Sequence, residues 1–246
     1  MPAPAPQFHV SLAATSADIQ AAQRLRYDVF VAELGASGSM VDDAARLEAD
    51  PFDQFADHLI LRDLARSADQ QVVGVYRLMT SAHAARADGF SCGGEYDLAP
   101  LLSLQKTVVE LSRSCLHPAY RGGTAMFHLW RALAAYIAEK HVDILFGVAS
   151  FHGTDVQAHA PALALLFADH ASPYPVTSRA PRDVPVCAYD RKAALRQMPA
   201  LIKAYLRLGG AVGQGVFVDQ AFNTTDVCMI LEVNKMRDRH KAIYSR

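Results

Sequence analysis

Glu110 and Arg113 stand on an apolar, β-branched run that leads through His117-Pro118 to a glycine pair, Gly122-Gly123, and then into a helix. The whole stretch, Val108–Ile137, reads VVELSRSCLHPAYRGGTAMFHLWRALAAYI. Strand, glycine turn and helix start together form an anion cradle, because unpaired N–H groups and the positive end of the helix dipole converge on one spot. An ionisable pair on the strand entering such a cradle points to chemistry on a phosphate-bearing donor. Glycines at strand-to-helix turns also serve close packing alone, so the motif leaves both readings open. Met126, Phe127, Trp130, Leu133, Ala134 and Ile137 recur at helical spacing and predict one broad apolar face.

Composition bounds what can surround this stretch. The chain has 246 residues, 51% hydrophobic and 20% charged, which suits a globular fold with a substantial core and argues against extensive disorder. No apolar run reaches the roughly 18 residues of a spanning helix. The start, MPAPAPQFHV, lacks a basic region followed by an apolar stretch, so no secretory signal is expected. Cys92, Cys115, Cys187 and Cys228 are dispersed and form no CxxC pair, which predicts reduced thiols. The histidines form no HExxH-like set, and no metal is expected.

Charge is uneven along the chain. Up to Ser178 there are 12 Lys and Arg against 19 Asp and Glu, and from Arg179 onward 12 against 6. Two kinds of partner would explain the asymmetry, as would simple interleaving on the folded surface. A near-neutral total with no recognised motif speaks against nucleic acid.

The elements that must position the central stretch follow in order. Ser16 or Asp18 can cap a first helix with a stripe of Ile19, Ala22, Leu25, Val29 and Phe30, stopped by Gly35. Arg26 and Phe30, four apart, share its face. Ala36–Asp57 is an acidic loop, with Asp42, Asp43, Glu48, Asp50, Asp53 and Asp57 against Arg46 alone. It reads as solvated and mobile, though it could also attract a cationic substrate. His58–Leu61 and Val72–Leu78 predict an antiparallel hairpin, with Arg77 near its end. Leu98–Leu104 predicts a helical turn, Ile144–Ser150 a second apolar strand and Val156–Ala168 a helix limited by Pro161. Ser172–Pro185, with four prolines, predicts an extended excursion. Leu201–Leu208 reads as an amphipathic helix ended by Gly209-Gly210, and Val216–Val218 with Val227–Val233 as closing strands.

This order, with Glu-x-x-Arg on the strand before the glycine turn, resembles the GNAT acyltransferase fold. The resemblance implies an α/β, mostly antiparallel sheet with splayed central strands, here Val108–Leu116 and Ile144–Ser150, flanked by helices, the acyl donor lying in the gap. Arg121-Gly122-Gly123-Thr124-Ala125 fits the family's pyrophosphate signature at Gly123 and Ala125, but Tyr120 stands at its Gln/Arg position. That departure favours a donor with a single phosphate. Arg26-x-x-x-Phe30, Asp53 with Asp57, Val73–Leu78 and Glu110-Leu111-Ser112-Arg113 are similar to the autoinducer-synthase-like branch. The tryptophan that lactone synthases carry after the first helix is absent here, where the chain reads Leu34-Gly35-Ala36. Met198–Gly209, Gly213-Gln214-Gly215 and Asp219–Val227 resemble bacterial ornithine acyltransferases of ornithine-lipid synthesis.

The resemblance implies one acyltransferase domain over 16–233, between a flexible leader at 1–15 and a basic tail at 234–246. Its implied reaction moves a 3-hydroxyacyl chain from acyl carrier protein to the α-amine of L-ornithine, with S-adenosylmethionine-dependent lactone synthesis or a non-catalytic binding module as rivals. The amine must lose a proton before attacking a thioester, and Glu110 is the expected base. Arg26, Phe30, Asp53, Asp57, Arg77, Ser112 and Arg113 are expected to bind substrate or scaffold its pocket. Arg121, Gly122, Gly123, Thr124 and Ala125 are expected to grip the donor phosphate. No permanent cofactor is implied; acyl-phosphopantetheine is a co-substrate, and coenzyme A thioesters remain open. The implied setting is cytoplasmic. Lys203, Arg207 and the tail could meet an acidic carrier protein or the anionic face of the inner membrane.

Overall fold

A computed structural model describes residues 5–184 and 187–236, and the chain divides into two units. The first combines residues 5–87 with Leu111–His141, and the second combines Asp88–Glu110 with residues 142–184 and 187–236.

The first unit opens with strand β1 (Phe8–Leu12), helix α1 (Ser16–Arg26), strands β2 (Asp57–Asp63) and β3 (Val72–Thr80), and helix α2 (Ser81–Arg86). β1 pairs antiparallel with β2 from Phe8↔Asp63 to Leu12↔Leu59, so part of the expected flexible leader is an ordered edge strand. The Asp63 carboxylate, which accepts from Gln7 N–H at 2.8 Å, helps hold it there. β2 and β3 form the expected hairpin, paired from Asp57↔Leu78 onward. Thr15, one residue earlier than predicted, caps α1 through a reciprocal box with Asp18. The helix then widens into a π-helical stretch, Tyr27–Glu33, before Gly35 turns the chain at φ +78°. Gly74, on β3, leaves no room for a side chain. A Cβ there would sit 2.6 Å from Leu116 Cδ2 and 3.0 Å from Leu129 Cδ1.

Strand β4 (Val108–Leu116) has the predicted bounds and crosses from the second unit to the first after Glu110. A short 3₁₀ turn, Pro118–Tyr120, leads to helix α3 (Ala125–Glu139). The apolar face of α3 is rotated from the expected one. Ala125, Leu129, Leu133 and Tyr136 are buried, while Phe127 is 40% exposed and Trp130 half-buried. A 4-4-3 spacing set the phase, and the small Ala125 and polar-tipped Tyr136 were not weighted as core.

In the second unit, Val108–Glu110 of β4 runs parallel to strand β5 (Ile144–His152), from Val108↔Ile144 to Glu110↔Phe146. Helices α4 (Ala160–Asp169), α5 (Arg191–Gln197) and α6 (Ala200–Leu208) follow, then strands β6 (Ala211–Val212), β7 (Phe217–Asp219) and β8 (Thr224–Glu232). β8 pairs antiparallel with β5 along its whole length and also carries β6 and β7. Pro161 sits in the first turn of α4, so the residues before it form a 3₁₀ turn instead of continuing the helix. Gly209 ends α6 at φ +99°. The expected basic tail lies, from Arg237 onward, outside the described residues. The fold class is the expected one: mixed α/β with mostly antiparallel strands and flanking helices. Among the described residues, no helix is long and apolar enough to cross a membrane.

Candidate active site

Three arginines and three carboxylates interlock inside the first unit. Arg26 on α1 is fully buried; its Nη1 donates to Asp53 Oδ1 at 2.7 Å, its Nε to Glu48 and its Nη2 to the Glu48 carbonyl at 2.8 Å. Arg77 on β3, also fully buried, donates from Nη1 to Asp53 Oδ1 at 3.0 Å and from Nε to Ser112 Oγ at 3.0 Å. Arg113 on β4 reaches Asp50 Oδ2 at 2.7 Å and Glu48 Oε1 at 3.3 Å. Asp53 also accepts from Gln23 Nε2 at 2.9 Å and from Asp50 N–H at 3.1 Å. The formal charges cancel, which is how a buried set of ions avoids an uncompensated Born penalty.

Burial raises the proton affinity of Asp53, and the neighbouring Arg26 and Arg77 overcome it, holding the carboxyl well below its usual range. For Arg26, desolvation is likewise outweighed by Glu48 and Asp53. His58 lies under the same carboxylate, with Nε2 2.9 Å from the Asp53 carbonyl, and burial lowers its pKa. Its Nδ1 and Arg77 Nη2 are buried without a hydrogen-bond partner.

The acidic loop is thus only partly solvated: Asp42 and Asp43 are exposed. Glu48, Asp50 and Asp53 are buried with the arginines, and no local pattern signals it because their partners come from α1, β3 and β4. Asp57 was expected in the same set but accepts from Tyr136 Oη at 2.8 Å. Phe30 packs against the Ala22–Leu25–Val29 core cluster. Arg113 itself adopts φ +51° within β4, a left-handed conformation that non-glycine residues adopt only at a cost.

A glycine turn joins β4 to α3. Thr124 occupies the N-cap of α3 without a side-chain capping bond, and Gly122 takes φ +76°. Gly122, Gly123 and Thr124 are exposed and Ala125 is buried. Arg121, expected on the donor phosphate, instead makes a bidentate pair with Glu33, Nη1–Oε1 2.6 Å and Nη2–Oε2 2.7 Å. It also clasps the Leu116 carbonyl. The bond to Arg121 holds the Glu33 carboxyl below its ordinary value.

In the second unit, Glu110 is fully buried and accepts from Ser91 N–H at 2.8 Å, from the Ser91 hydroxyl, and from Cys92 N–H at 3.1 Å. Ser91 is half-buried and Glu110 fully buried, so Ser91 is the more exposed residue of the pair. Sequence reasoning missed Ser91, which belongs to none of the expected elements. Glu95, Asp219 and Asp226 bring carboxylate oxygens within 4.8 Å of one another, although no metal was expected from the sequence. Asp219 caps the Ala221 and Phe222 N–H groups of its own turn. Cys115, a tempting nucleophile beside the site strand, is buried and its pKa is pushed up to about 12, so its thiolate is scarce at neutral pH.

Fold and site together define a GNAT acyltransferase. An acetyltransferase (GNAT) domain model matches residues 25–131. An N-acyl amino acid synthase from uncultured soil microbes shares the fold, with a TM-score of 0.57 at 14% identity over 95% of this chain and 96% of that one. Within that class, the chain is 48% identical to an L-ornithine N(alpha)-acyltransferase of Rhodobacter capsulatus, over 97% of its own length and 95% of the relative. It is 39% identical to the enzyme of the same name from Brucella abortus, over 96% and 88%. The chain belongs to the L-ornithine N(alpha)-acyltransferase family.

Proposed function

We propose that the protein transfers a 3-hydroxyacyl group from the phosphopantetheine of acyl carrier protein to the α-amine of L-ornithine, the first step of ornithine-lipid synthesis. The observation that carries this reading is near-full-length identity of 48% to a relative named for ornithine acylation. The start of α3, without a side-chain cap, supports a donor phosphate, which would accept from N–H groups of Gly122–Ala125 and exchange with Glu33 for Arg121.

The ornithine ammonium must become an amine before attack. Its proton passes to the Ser91 hydroxyl while the Ser91 proton moves to Glu110, the hydrogen bond between the two already being formed. Amine nitrogen then bonds to the thioester carbon, the C–S bond breaks, and the departing sulfur takes up the proton that the nitrogen sheds as the amide forms. The Arg26–Glu48–Asp53–Arg77–Arg113 network is read as rigid scaffold for the strand that carries this chemistry, with Ser112 bound to it through Arg77. Lys203 and Arg207 on α6 remain the proposed contacts for an acidic carrier protein or anionic lipid.

The test is mass spectrometry of products from purified protein, 3-hydroxyacyl carrier protein or 3-hydroxyacyl coenzyme A, and a panel of amino acids. Acyl-ornithine formed from the carrier-protein donor is the expected product. Acylation of another amine but not ornithine would overturn the acceptor, and turnover with coenzyme A thioester alone would overturn the donor.

A further inference from the structure

Helices α5 and α6, joined through Met198-Pro199 in the second unit, carry Arg191, Lys192, Arg196, Lys203 and Arg207. Between residues 187 and 208 the single acid is Asp190, whose carboxylate caps α5 by accepting from Ala193 N–H at 2.7 Å. Arg191 is neutralised by Asp169. Lys192, Arg196, Lys203 and Arg207 make no ion pair among the described residues, whereas Lys235, just beyond β8, is taken by Glu232. Lys192 and Arg196 lie one turn apart on α5, and Lys203 and Arg207 one turn apart on α6, so each helix presents its pair on one face. Lys192, Arg196 and Arg207 are exposed and Lys203 is half-buried.

These cations suit a lipid surface better than a folded acidic partner. A protein partner is met by cations held in register, as Glu33 holds Arg121 in the first unit. No carboxylate fixes the four side chains here, and ordering each against a rigid partner costs rotamer entropy. A fluid layer of anionic headgroups demands no register, and each lysine or arginine brought to it gains about 1 kcal/mol. Leu195, Leu201 and Leu206, interspersed with the cations along the chain, are half-buried and keep apolar surface at the outside. Lysine and arginine stems lie along such surface while their charges stay among the headgroups. The deeper apolar face of α6, Ile202, Tyr205 and Leu208, is buried in the protein, so the helix is not free to roll into the bilayer. Contact is therefore shallow and mainly electrostatic.

We infer that α5 and α6 form a docking surface for an anionic bilayer, held through Lys192, Arg196, Lys203 and Arg207. The inference goes beyond the proposed reaction, and one consequence alone rests on that reaction. An acyl-ornithine product is an amphiphile, and docking would release it beside the bilayer that takes it up.

The test is co-sedimentation of the full chain, without donor or acceptor, with vesicles of phosphatidylcholine alone or mixed with about one-third phosphatidylglycerol. Wild type is compared with Lys192→Gln/Arg196→Gln and with Lys203→Gln/Arg207→Gln, urea midpoints confirming that both variants fold. Wild type should partition into the anionic vesicles about tenfold or more above the neutral ones, each double variant should lose about tenfold of that binding, and about 0.5 M salt should abolish it. Equal partition of wild type into both vesicles, or wild-type binding by both variants, would overturn the inference. So would a raised carrier-protein KM in Lys192→Gln/Arg196→Gln with vesicle binding unchanged, which would assign the surface to the carrier protein. Vesicle binding is read without substrates, so it stands or falls separately from the acylation of ornithine.

Discussion

Arg26 Nη1 lies 2.7 Å from Asp53 Oδ1, and the same carboxylate oxygen lies 3.0 Å from Arg77 Nη1. One oxygen thereby ties the first helix to the hairpin, and Arg113 joins β4 to the same set through Glu48 and Asp50. Removing a partner from such a buried set leaves an unpaired charge. Asp53→Ala should cost about 3–5 kcal/mol in urea unfolding. A change below about 1 kcal/mol would mean that water already compensates the ions.

Stability should fall on acidification from neutral pH. Burial lowers the pKa of His58, with Arg26 and Arg77 acting in the same direction. The unfolded chain therefore takes up this proton below about 6.5 while the folded chain resists until lower pH. The unfolded state binds more protons in that window, so the loss grows as pH drops through it and levels off once the folded imidazole also protonates. His117 and His170, lowered by burial as well, add with the same sign. Asp53 contributes at lower pH, its stabilisation being present above its unfolded value of about 3.9 and lost as pH falls toward its depressed folded value. Urea midpoints at pH 7.5 and 5.5 should differ, and His58→Gln, which retains a donor for the Asp53 carbonyl, should shrink the difference. Equal midpoints in wild type would refute the assignment.

Gly74→Ala should destabilise the first unit by about 1–3 kcal/mol, because the new methyl overlaps Leu116 and Leu129. Pairing it with Leu116→Ala makes room. If the pair is no more stable than the sum of the single losses, overlap with Leu116 is not the cause.

Much of this architecture is legible locally. β4 has its predicted limits because its apolar, β-branched run is bounded by turn residues, and α6 ends where Gly209 can take a left-handed turn. The need of Arg26, Arg77 and Arg113 for opposite charges was also readable, since all three sit in apolar frames. Their partners were not. Glu48 and Asp50 look like any acidic loop until α1, β3 and β4 converge on them, and Glu33 shows no link to Arg121 across the intervening chain. Ser91 fails for the same reason: its role comes from Glu110, which reaches it only through tertiary folding.

The Glu33–Arg121 pair should tune donor affinity. Glu33 now occupies the fork that a donor phosphate would use, so Glu33→Gln frees the guanidinium and should lower the KM for the carrier-protein donor by about threefold. Arg121→Ala should raise it by about tenfold with little effect on kcat. Glu33→Gln raising donor KM as Arg121→Ala does would show that Glu33 positions the arginine instead of competing for it.

Proton removal through Ser91 and Glu110 predicts a kinetic pattern that a structural role would not give. Ser91→Ala keeps both backbone N–H bonds to Glu110 but deletes the hydroxyl. It should lower kcat by about 10²-fold at neutral pH while leaving donor KM and the unfolding midpoint near wild type. Glu110→Gln should lower kcat at least as far. Because an amine acceptor becomes its own base as pH rises, the deficit of both variants should narrow toward alkaline pH, whereas a folding defect would persist or worsen there. Activity profiles from pH 6.5 to 9.5, with circular dichroism on the same samples, distinguish the two. A Ser91→Ala enzyme with wild-type kcat across that range would remove the relay and leave Glu110 as an anchor for the Ser91–Gly94 turn.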